Sequence, residues 1–478
     1  MRQVHGHGHG HGHGHGHGHE GEHVRTVLAS SIILIFLSCG VAMAREIPVV
    51  DGVRLIHVEN ADLGIVSAEV VVEAGALADP PGKEGTADVC THMLLRGTRH
   101  RTYQQVMDQV NDLGSTIEAS AQKEFVGIFG DFLPRHADRY ADILADVLGN
   151  PTFPADEFEH ERQLALEDVR NMRNDDAELA SHFFARFMYR GHPLGRPTQG
   201  YLRTIARLKP SDCRAFYKAH VRKGNVVVVL AGAIDRAAAE RFASRVTAGV
   251  RPGARESFDY PGPPAGKGIR VLVVDKPERT QTQVVIGRPS LSWGDPDLFP
   301  LLIGNTAFGG TFTSRLMQEV REKRGWSYGA SSAITAGRVF GTLSVRFFPA
   351  TKDTVPAIRL ALDLISAAAK SGLDSSEVAF AVDHLANQFP FRLETARKRA
   401  DEMLADILYA RPEGFIEHFI ERVRGEGRDA INAALGRWYR TDDLAITVVA
   451  TAKDVVDDLR KVPGVTSVEV VPYDRDGL

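Results

Sequence analysis

Two segments far apart in the chain share one order of residues, and this repetition limits the folds available to it. The segments are NVVVVLAGAIDRAAAERFASRV, from Asn225, and DLAITVVATAKDVVDDLRKV, from Asp443. Each predicts a buried strand, a turn and then an amphipathic helix. Each also follows a helix that ends in an aromatic pair, Phe216-Tyr217 or Trp438-Tyr439. The repetition predicts that the chain is built from two homologous halves.

A segment rich in proline and glycine separates these halves. RPGARESFDYPGPPAGKG, residues 251–268, has no apolar period and indicates a linker between residues 45–250 and 269–478. The halves also begin alike, because SAEVVVEAGALAD and TQVVIGRPSLSWGD each predict a strand, a loop and a helix. The predicted fold class is therefore α+β, with two homologous α/β halves. In each half a mainly antiparallel sheet is expected to carry helices on one face.

The N-terminal region has the features of an export signal behind an unusual tract. Residues 1–23 contain alternating His and Gly, which indicates a metal-binding tract, a cloning tag or a start codon assigned too far upstream. Residues 24–44 predict a signal peptide, with Arg45 as the first mature residue. Cys39 leaves lipoprotein anchoring open as an alternative. We expect an exported, periplasmic protein without a stable membrane span.

Composition argues against a nucleic-acid partner and does not show whether the cysteines are paired. The chain has 478 residues, with 57 Lys and Arg against 61 Asp and Glu and a net charge of -4. This balance, with no basic run, argues against a nucleic-acid-binding surface. After the predicted cleavage only Cys90 and Cys213 remain. An exported protein could pair them, but two buried free thiols are the expectation from sequence.

Residues 85–102, GTADVCTHMLLRGTRHRT, contain a degenerate form of a metallopeptidase motif. In H-x-x-E-H the two histidines bind zinc and the glutamate is the base. The five residues here run from Asp88 to His92, and only His92 matches. Thr91 stands where the base is needed, and a hydroxyl does not take a proton from water near neutral pH. Loss of a general base costs about 10²–10⁴ in rate, so this site is not expected to hydrolyse peptides.

Four stretches in order carry a wider resemblance to one family. They are GTADVCTHMLLRGTRHRT, DLGSTIEASAQKEFVGIFGDFL, HPLGRPTQG and FGGTFTSRLMQEVREKRGWSY. From about residue 47 to 470 the chain resembles the insulinase/pitrilysin-like (inverzincin) zinc metallopeptidases. Within them it is similar to the half-length subfamily that includes the mitochondrial processing peptidase subunits.

The resemblance assigns family roles to four positions of the degenerate site. It places the first zinc ligand at Asp88, the base at Thr91, the second ligand at His92 and the distal ligand at Asp168. Asp and His both ligate zinc. However, Asp is shorter than the His or Glu that it replaces, so each substitution leaves a ligand short of the metal. We therefore expect no metal in this chain and zinc in a partner subunit.

The resemblance also implies a retained pair in the second half. Arg321 and Tyr328, seven residues apart in VREKRGWSYG, match an Arg and a Tyr that contact substrate in active members. An Arg binds a peptide carbonyl or carboxylate with its fork of donors. A Tyr hydroxyl donates to the oxyanion that forms during peptide hydrolysis.

These observations predict a non-catalytic, substrate-binding subunit of a heterodimeric metallopeptidase. Its partner would be a half-length paralogue with H-x-x-E-H, to which this chain lends Arg321 and Tyr328 in trans. The peptide would bind as an added strand, with 115–129 as the expected sheet edge in this chain. One alternative is an independent peptidase with an altered metal site at Asp88, His92 and Asp168. Another is a non-proteolytic binding or scaffold protein of the same fold.

Overall fold

The computed structural model describes residues 48–477, apart from residues 63, 258 and 259. The His/Gly tract, the predicted signal peptide, Cys39 and the cleavage site all lie outside the described residues. Those that are described belong to one compact unit. Across this described range, no helix is both long and apolar enough to cross a membrane.

The first sheet has six strands and is formed by the N-terminal part of the chain. Its strands are β1 (Val49–Val50), β2 (Val53–Glu59), β3 (Val66–Val72), β4 (Glu118–Ala121), β5 (Val126–Phe132) and β6 (Val226–Gly232). The order across the sheet is β1-β2-β6-β3-β5-β4. Only β2 and β6 run parallel, and the other neighbours are antiparallel.

The second sheet also has six strands. They are β7 (Gly268–Asp275), β8 (Gln283–Ser290), β9 (Ala330–Thr335), β10 (Gly341–Phe347), β11 (Asp443–Ala450) and β12 (Val465–Pro472). Their order is β12-β7-β11-β8-β10-β9. Strand β7 is parallel to both of its neighbours, and the remaining pairs are antiparallel.

The two sheets repeat one topology. The run β2-β6-β3-β5-β4 in the first sheet has the same order and directions as β7-β11-β8-β10-β9 in the second. The segments paired from sequence occupy equivalent places, since SAEVVV forms β3 and QVVIGRPS forms β8. NVVVVLAG and DLAITVVA likewise form the equivalent strands β6 and β11. The predicted α+β fold with two homologous halves is confirmed.

Helices accompany each sheet. Those in the first half are α1 (Thr86–His92), α2 (Tyr103–Asp112), α3 (Ala137–Gly149), α4 (Ala155–Asn171), α5 (Asp176–Met188), α6 (Leu202–Ile205), α7 (Pro210–His220) and α8 (Arg236–Val246). Those in the second half are α9 (Leu298–Asn305), α10 (Arg315–Met317), α11 (Thr354–Ser371), α12 (Ser375–Gln388), α13 (Ala396–Tyr409), α14 (Phe419–Gly425), α15 (Arg428–Trp438) and α16 (Val456–Leu459).

Helix α5 belongs to the first half by sequence but packs on the second sheet. Leu179, Phe183 and Phe187 recur every four residues, so they form one apolar stripe along the helix. They share a buried cluster with Leu272, Val274, Val285, Ala445 and Val449 of the second sheet. At about 1.5–3 kcal/mol for each large apolar side chain buried, this contact is a substantial part of the core.

Helix α13 makes the reciprocal contact. Its stripe of Ala396, Ala400, Leu404 and Leu408 packs against Ile56, Val71, Val227 and Val229 of the first sheet. Arg397 of α13 also pairs with the buried carboxylate of Glu69 on β3. Each sheet is thus covered on one face by a helix of the other half. The sequence predicted helices on one face, and this exchange adds a cover on the opposite face.

The segment between the sheets is attached to the first half by ion pairs. The guanidinium of Arg255 contacts both carboxylate oxygens of Glu73, at 2.7 and 2.8 Å. Arg54 binds the same carboxylate, at 2.6 Å. Glu256 accepts from Nδ2 of Asn225 at 3.0 Å and pairs with Arg222. The Pro/Gly-rich segment is therefore attached to the first half at Arg255 and Glu256, although its described residues form no helix or strand before Gly268.

Candidate functional site

Helix α1, which carries the degenerate motif, is held in place at its N-terminus. The carboxylate of Asp79 accepts hydrogen bonds from the backbone N–H of Gly85 at 2.7 Å and of Ala87 at 2.8 Å. Gly85 and Gly200 both have positive φ, at 98° and 84°. A Cβ at Gly200 would lie 2.2 Å from the carbonyl oxygen of Glu84. The GTAD and HPLGRPTQG motifs therefore meet through their glycines, where a side chain would strain the backbone.

The four positions of the degenerate site lie on two neighbouring helices. Asp88 and His92 are one turn apart on α1, and Asp168 is exposed on α4. Burial raises the pKa of Asp88 to about 6. His92 opposes this shift, whereas the nearby carboxyl groups of Glu161 and Asp168 add to it. The structure therefore brings Asp88, His92 and Asp168 into one electrostatic neighbourhood, together with Glu161.

The carboxylate of Glu161 contacts two residues, His92 and Arg96. One of its carboxylate oxygens lies 3.5 Å from Nδ1 of His92. The other accepts from Nε and Nη2 of Arg96, at 2.8 and 2.7 Å. The Arg96 guanidinium also lies 4.3 Å from the centroid of the Tyr103 ring. Arg96 thus supplies the positive charge that offsets this buried carboxylate, a task that a bound cation would otherwise perform.

The Thr91 side chain is buried, and its hydroxyl is hydrogen-bonded within helix α1. Its side chain is 1% exposed, and its hydroxyl donates to the carbonyl oxygen of Ala87 at 2.6 Å. Residue 91 is therefore a packed helix residue, with a side chain that neither faces solvent nor accepts protons.

Zinc is the metal that the family resemblance implies, and these residues do not fit it. A catalytic zinc site uses three protein ligands at about 2.0–2.3 Å and a base beside the bound water. Here one histidine remains, Thr91 replaces the base, and Arg96 already neutralises Glu161. Within residues 48–477, the described side chains include no group of three or more His, Cys, Asp or Glu placed to hold a metal.

The cysteines correct one sequence expectation. Cys90 and Cys213 were expected to be free thiols, but they form a disulfide between α1 and α7, 123 residues apart in sequence. The pairing depends on tertiary packing, because α1 and α7 lie side by side and bring the two Cα atoms to 4.9 Å. One of the two bonded cysteines lies inside the degenerate motif.

The HPLGRPTQG turn has a structural role in the described residues. His192 is 6% exposed, accepts from the backbone N–H of Leu194 at 3.1 Å and donates to the carbonyl of Pro261 at 2.9 Å. Its ring also contacts Tyr260 of the interdomain segment and Phe340 of the second half. This motif therefore joins the first half to the segment that follows it.

Arg321 and Tyr328 lie together on the surface of the second half. Arg321 sits on a π-helical turn, Gln318–Glu322, and Tyr328 precedes β9 by two residues. The Arg321 guanidinium is 4.7 Å from the centroid of the Tyr328 ring and 4.4 Å from that of Phe312. Tyr328 is 78% exposed and Phe312 is 61% exposed. The structure thus places a cation in contact with two exposed aromatic rings.

The backbone around Tyr328 is fixed by neighbouring hydrogen bonds. The hydroxyl of Ser327 donates to the carbonyl of Gly329 at 2.6 Å and accepts from the backbone N–H of Phe348 at 3.0 Å. The carbonyl of Arg321 accepts from Gly325 N–H at 2.8 Å. Tyr328 is therefore exposed and Arg321 partly buried, and the main chain of both is anchored, as a preorganised binding group requires. Among the described residues, no hydrogen bond or ion pair joins it to Asp88, His92 or Asp168.

Sequence reasoning missed three residues of these two regions. Glu161 lies two helical turns before Asp168, a spacing that puts both on one face of α4 and could have indicated it. Arg96 follows His92 by four residues, but the chain leaves the helix between them. Phe312 lies nine residues before Arg321, and no local spacing predicts that contact. Glu167, beside Asp168, is exposed.

Comparison with known proteins agrees with this fold. The model described as "Insulinase (Peptidase family M16)" matches residues 55–201, and the one described as "Peptidase M16 inactive domain" matches residues 207–385. The chain therefore belongs to the insulinase-like metallopeptidase family, M16.

Individual relatives are distant. The chain is 28% identical over 374 residues to an uncharacterized zinc protease of Mycobacterium tuberculosis, covering 77% of this chain and 84% of that protein. A solved structure of a peptidase M16 inactive domain from Pseudomonas fluorescens is similar with a TM-score of 0.78 and 22% identity, over 89% and 98% of the two chains. A protease from Helicobacter pylori gives 0.76 and 16%, over 85% and 99%.

Proposed function

We propose that this chain is a non-catalytic, substrate-binding subunit of an exported heterodimeric zinc metallopeptidase. Its partner is a half-length relative that carries H-x-x-E-H and the zinc. This chain contributes Arg321 and Tyr328 to peptide binding and oxyanion stabilisation at the partner's site.

The proposal rests on one observation. A single chain keeps the Arg321/Tyr328 motif but has lost the base of the zinc motif. Arg321 and Tyr328 are stacked at 4.7 Å, with the Tyr328 ring 78% exposed. The Tyr328 hydroxyl has no hydrogen-bond partner among the described residues, and the Arg321 guanidinium lies against its ring. At the other motif, the Thr91 hydroxyl is bonded to Ala87 and the side chain is buried. The substrate-contacting pair is thus ordered for use, while the hydrolytic base is missing.

Two further features support parts of the proposal. The Cys90–Cys213 disulfide favours an oxidising compartment, in keeping with export to the periplasm. Strand β4, inside the predicted 115–129 edge, is the outer strand of the first sheet and pairs with β5 alone among the described strands. An outer strand of this kind accepts an extended peptide through its backbone groups.

The experiment is peptide cleavage by three samples with zinc content measured on each. They are this chain alone, an H-x-x-E-H half-length relative from the same genome alone, and the mixture. The proposal expects cleavage by the mixture only, with zinc in the relative. Tyr328→Phe in this chain should lower kcat of the mixture by roughly 10²-fold, the usual cost of removing one oxyanion donor.

Tyr473→Phe is the matched control, because the Tyr473 ring also lies near a cation, Lys276, at 5.6 Å. It should leave cleavage unchanged. Cleavage and bound zinc in this chain alone would instead establish the altered metal site at Asp88, His92 and Asp168. If the relative cuts equally well with and without this chain, a binding or scaffold role replaces the proposal.

A further inference from the structure

A cavity of about 290 Å³ lies beside the start of β9, close to Tyr328 in sequence. Its walls are mostly apolar and come from both halves. They are formed by Ala177, Ala180, Val284, Val285, Met317 and Phe347. Among the described residues that line it, Arg346 alone is charged.

Arg346 has no acidic partner in the described part of the protein. Its hydrogen bond there runs from Nη1 to the hydroxyl of Ser181 on α5, at 2.6 Å. Partial burial alone lowers the pKa of Arg346, with no carboxylate opposing the shift. The remaining guanidinium donors are thus available to a ligand that carries a negative charge.

The sheet register places Arg346 near the outer edge of the sheet. Arg346 of β10 pairs with Ser331 of β9 on one side and with Val285 of β8 on the other. Residues directly opposite each other share a face of the sheet, so all three project toward α5. Strand β9 is the last strand of its sheet and pairs with β10 alone among the described strands. On this face of β9, Ser331 and Thr335 are exposed.

An extended peptide fits this edge better than a compact ligand. A strand added beside β9 would lie about 4.8 Å from it, and so about 10 Å from β10. A side chain of that strand next to Ser331 would then be within the combined reach of an arginine and a glutamate. Charge complementarity selects an acidic side chain, because Arg346 is the charged group at the cavity.

We propose that the outer edge of β9 binds an extended peptide and that Arg346, with the adjoining cavity, selects an acidic side chain in it. This inference rests on the proposed role in peptide binding and names the substrate class. It also places a binding edge in the second half, in addition to β4 in the first.

The test measures binding to the full chain alone by fluorescence anisotropy. The probe is a fluorescein-labelled nine-residue peptide in which valine and threonine alternate around a central glutamate. Peptides with central glutamine or lysine are compared, with a fourth whose alternate backbone amides are N-methylated. We expect the glutamate peptide to bind about tenfold more tightly than the glutamine peptide, and the N-methylated peptide not to bind.

Substitutions of Arg346 test whether this residue causes the preference for glutamate. Arg346→Gln should remove the preference for glutamate, and Arg346→Glu should reverse it in favour of lysine. Arg359→Gln, which removes another exposed arginine from the second half, should leave the preference unchanged. The inference is overturned if the glutamate peptide does not bind, or if its preference survives both Arg346 substitutions.

The binding assay contains no partner subunit and no cleavage step. Its failure is therefore separate from failure of the proposed function, which is read from cleavage by the mixture and from Tyr328→Phe. A chain that supports cleavage but shows no acidic preference would retain the proposed function and lose this subsite.

Discussion

The guanidinium of Arg321 lies 4.7 Å from the centroid of the Tyr328 ring, so the two residues form one stacked unit. Phe312 also contacts the guanidinium, with its ring centroid at 4.4 Å. The Nε of Arg321 lies 3.3 Å from a carboxylate oxygen of Glu322, and its Nη atoms supply the rest of the fork of donors. This arrangement brings the Arg and the Tyr together although six residues separate them.

Arg321→Lys should therefore be a severe substitution despite the conserved charge. Lysine lacks both the flat face that stacks on Phe312 and Tyr328 and the fork of donors. We expect kcat/KM of the mixture with an H-x-x-E-H relative to fall roughly 10–100-fold, since about 1.4 kcal/mol corresponds to each tenfold step. Arg324→Lys is the control, because Arg324 pairs with Glu319 nearby. Equal effects of the two substitutions would contradict a specific role for the stacked pair.

Zinc binding should be restored when the short side chains at positions 88 and 168 are replaced by the longer residues of the family motif. Asp88→His with Asp168→Glu should bind about one zinc per chain, measured by elemental analysis after dialysis. Thr91→Glu added to these two should give zinc-dependent peptide cleavage, and His92→Ala in the triple variant should remove the metal. The unaltered chain is expected to retain no zinc. One tightly bound zinc in the unaltered chain would favour the altered-site peptidase.

His182 should make the fold sensitive to mild acid. It accepts a hydrogen bond from Nη1 of Arg186 at 2.9 Å, which requires a neutral ring. Burial, together with the positive charges of Arg186, Lys123 and Arg173, lowers the pKa of His182 to about 3. Because the folded pKa lies below the unfolded value near 6.5, this stability is present above pH 6.5 and is lost as the pH falls.

Urea unfolding at pH 7.5 and pH 5 measures this effect. Between these pH values the unaltered chain should lose about 2 kcal/mol more than His182→Gln, whose amide oxygen still accepts from Arg186. His160→Gln, at an exposed position on α4, should behave as the unaltered chain. An identical pH dependence in all three proteins would show that His182 is not held neutral.

The disulfide should contribute measurably to stability. Cys90 and Cys213 close a long loop, with 123 residues of sequence separation. Reduction should lower the free energy of unfolding by roughly 2–5 kcal/mol, the usual range for a native disulfide. Chemical unfolding with and without reductant measures this, and the double variant Cys90→Ser/Cys213→Ser should not respond. An unaltered chain that is equally stable with and without reductant would show that the thiols are free.

The exchanged helix α13 should be intolerant of charge on its buried stripe. Ala400 is fully buried against the first sheet. Ala400→Asp places an unpaired carboxylate there, so we expect a loss of roughly 3 kcal/mol or more in urea unfolding. Lys398→Ala, on the exposed side of the same helix, should change stability little. Similar losses for both would mean that α13 does not hold the halves together.

Sequence patterns predicted the parts of this fold that depend on local burial. The buried strands β3, β6, β8 and β11 lie where the apolar patterns placed them. The exchange of α5 and α13 could not be predicted in this way. A stripe such as Leu179, Phe183 and Phe187 shows that one face is buried, but not which sheet buries it.

The residues of the candidate site likewise fall into those that local sequence predicted and those that depend on tertiary packing. Arg321 and Tyr328 were predicted from their spacing in a motif, and the structure brings them into contact. The Cys90–Cys213 bond, the Arg96–Glu161 pair and Phe312 depend on tertiary packing between distant segments. Spacing along the chain carries no information on such contacts.

The reciprocal cover of each sheet by the other half's helix also bears on the origin of the chain. Two separate copies of an ancestral half could not have shielded their sheets alone, because each needs a helix from its neighbour. They would have been stable as a symmetric dimer that swapped one helix each way. Fusion of two such copies would turn an exchange between molecules into one within a molecule. A present-day fragment of either half should accordingly assemble with its complement or aggregate.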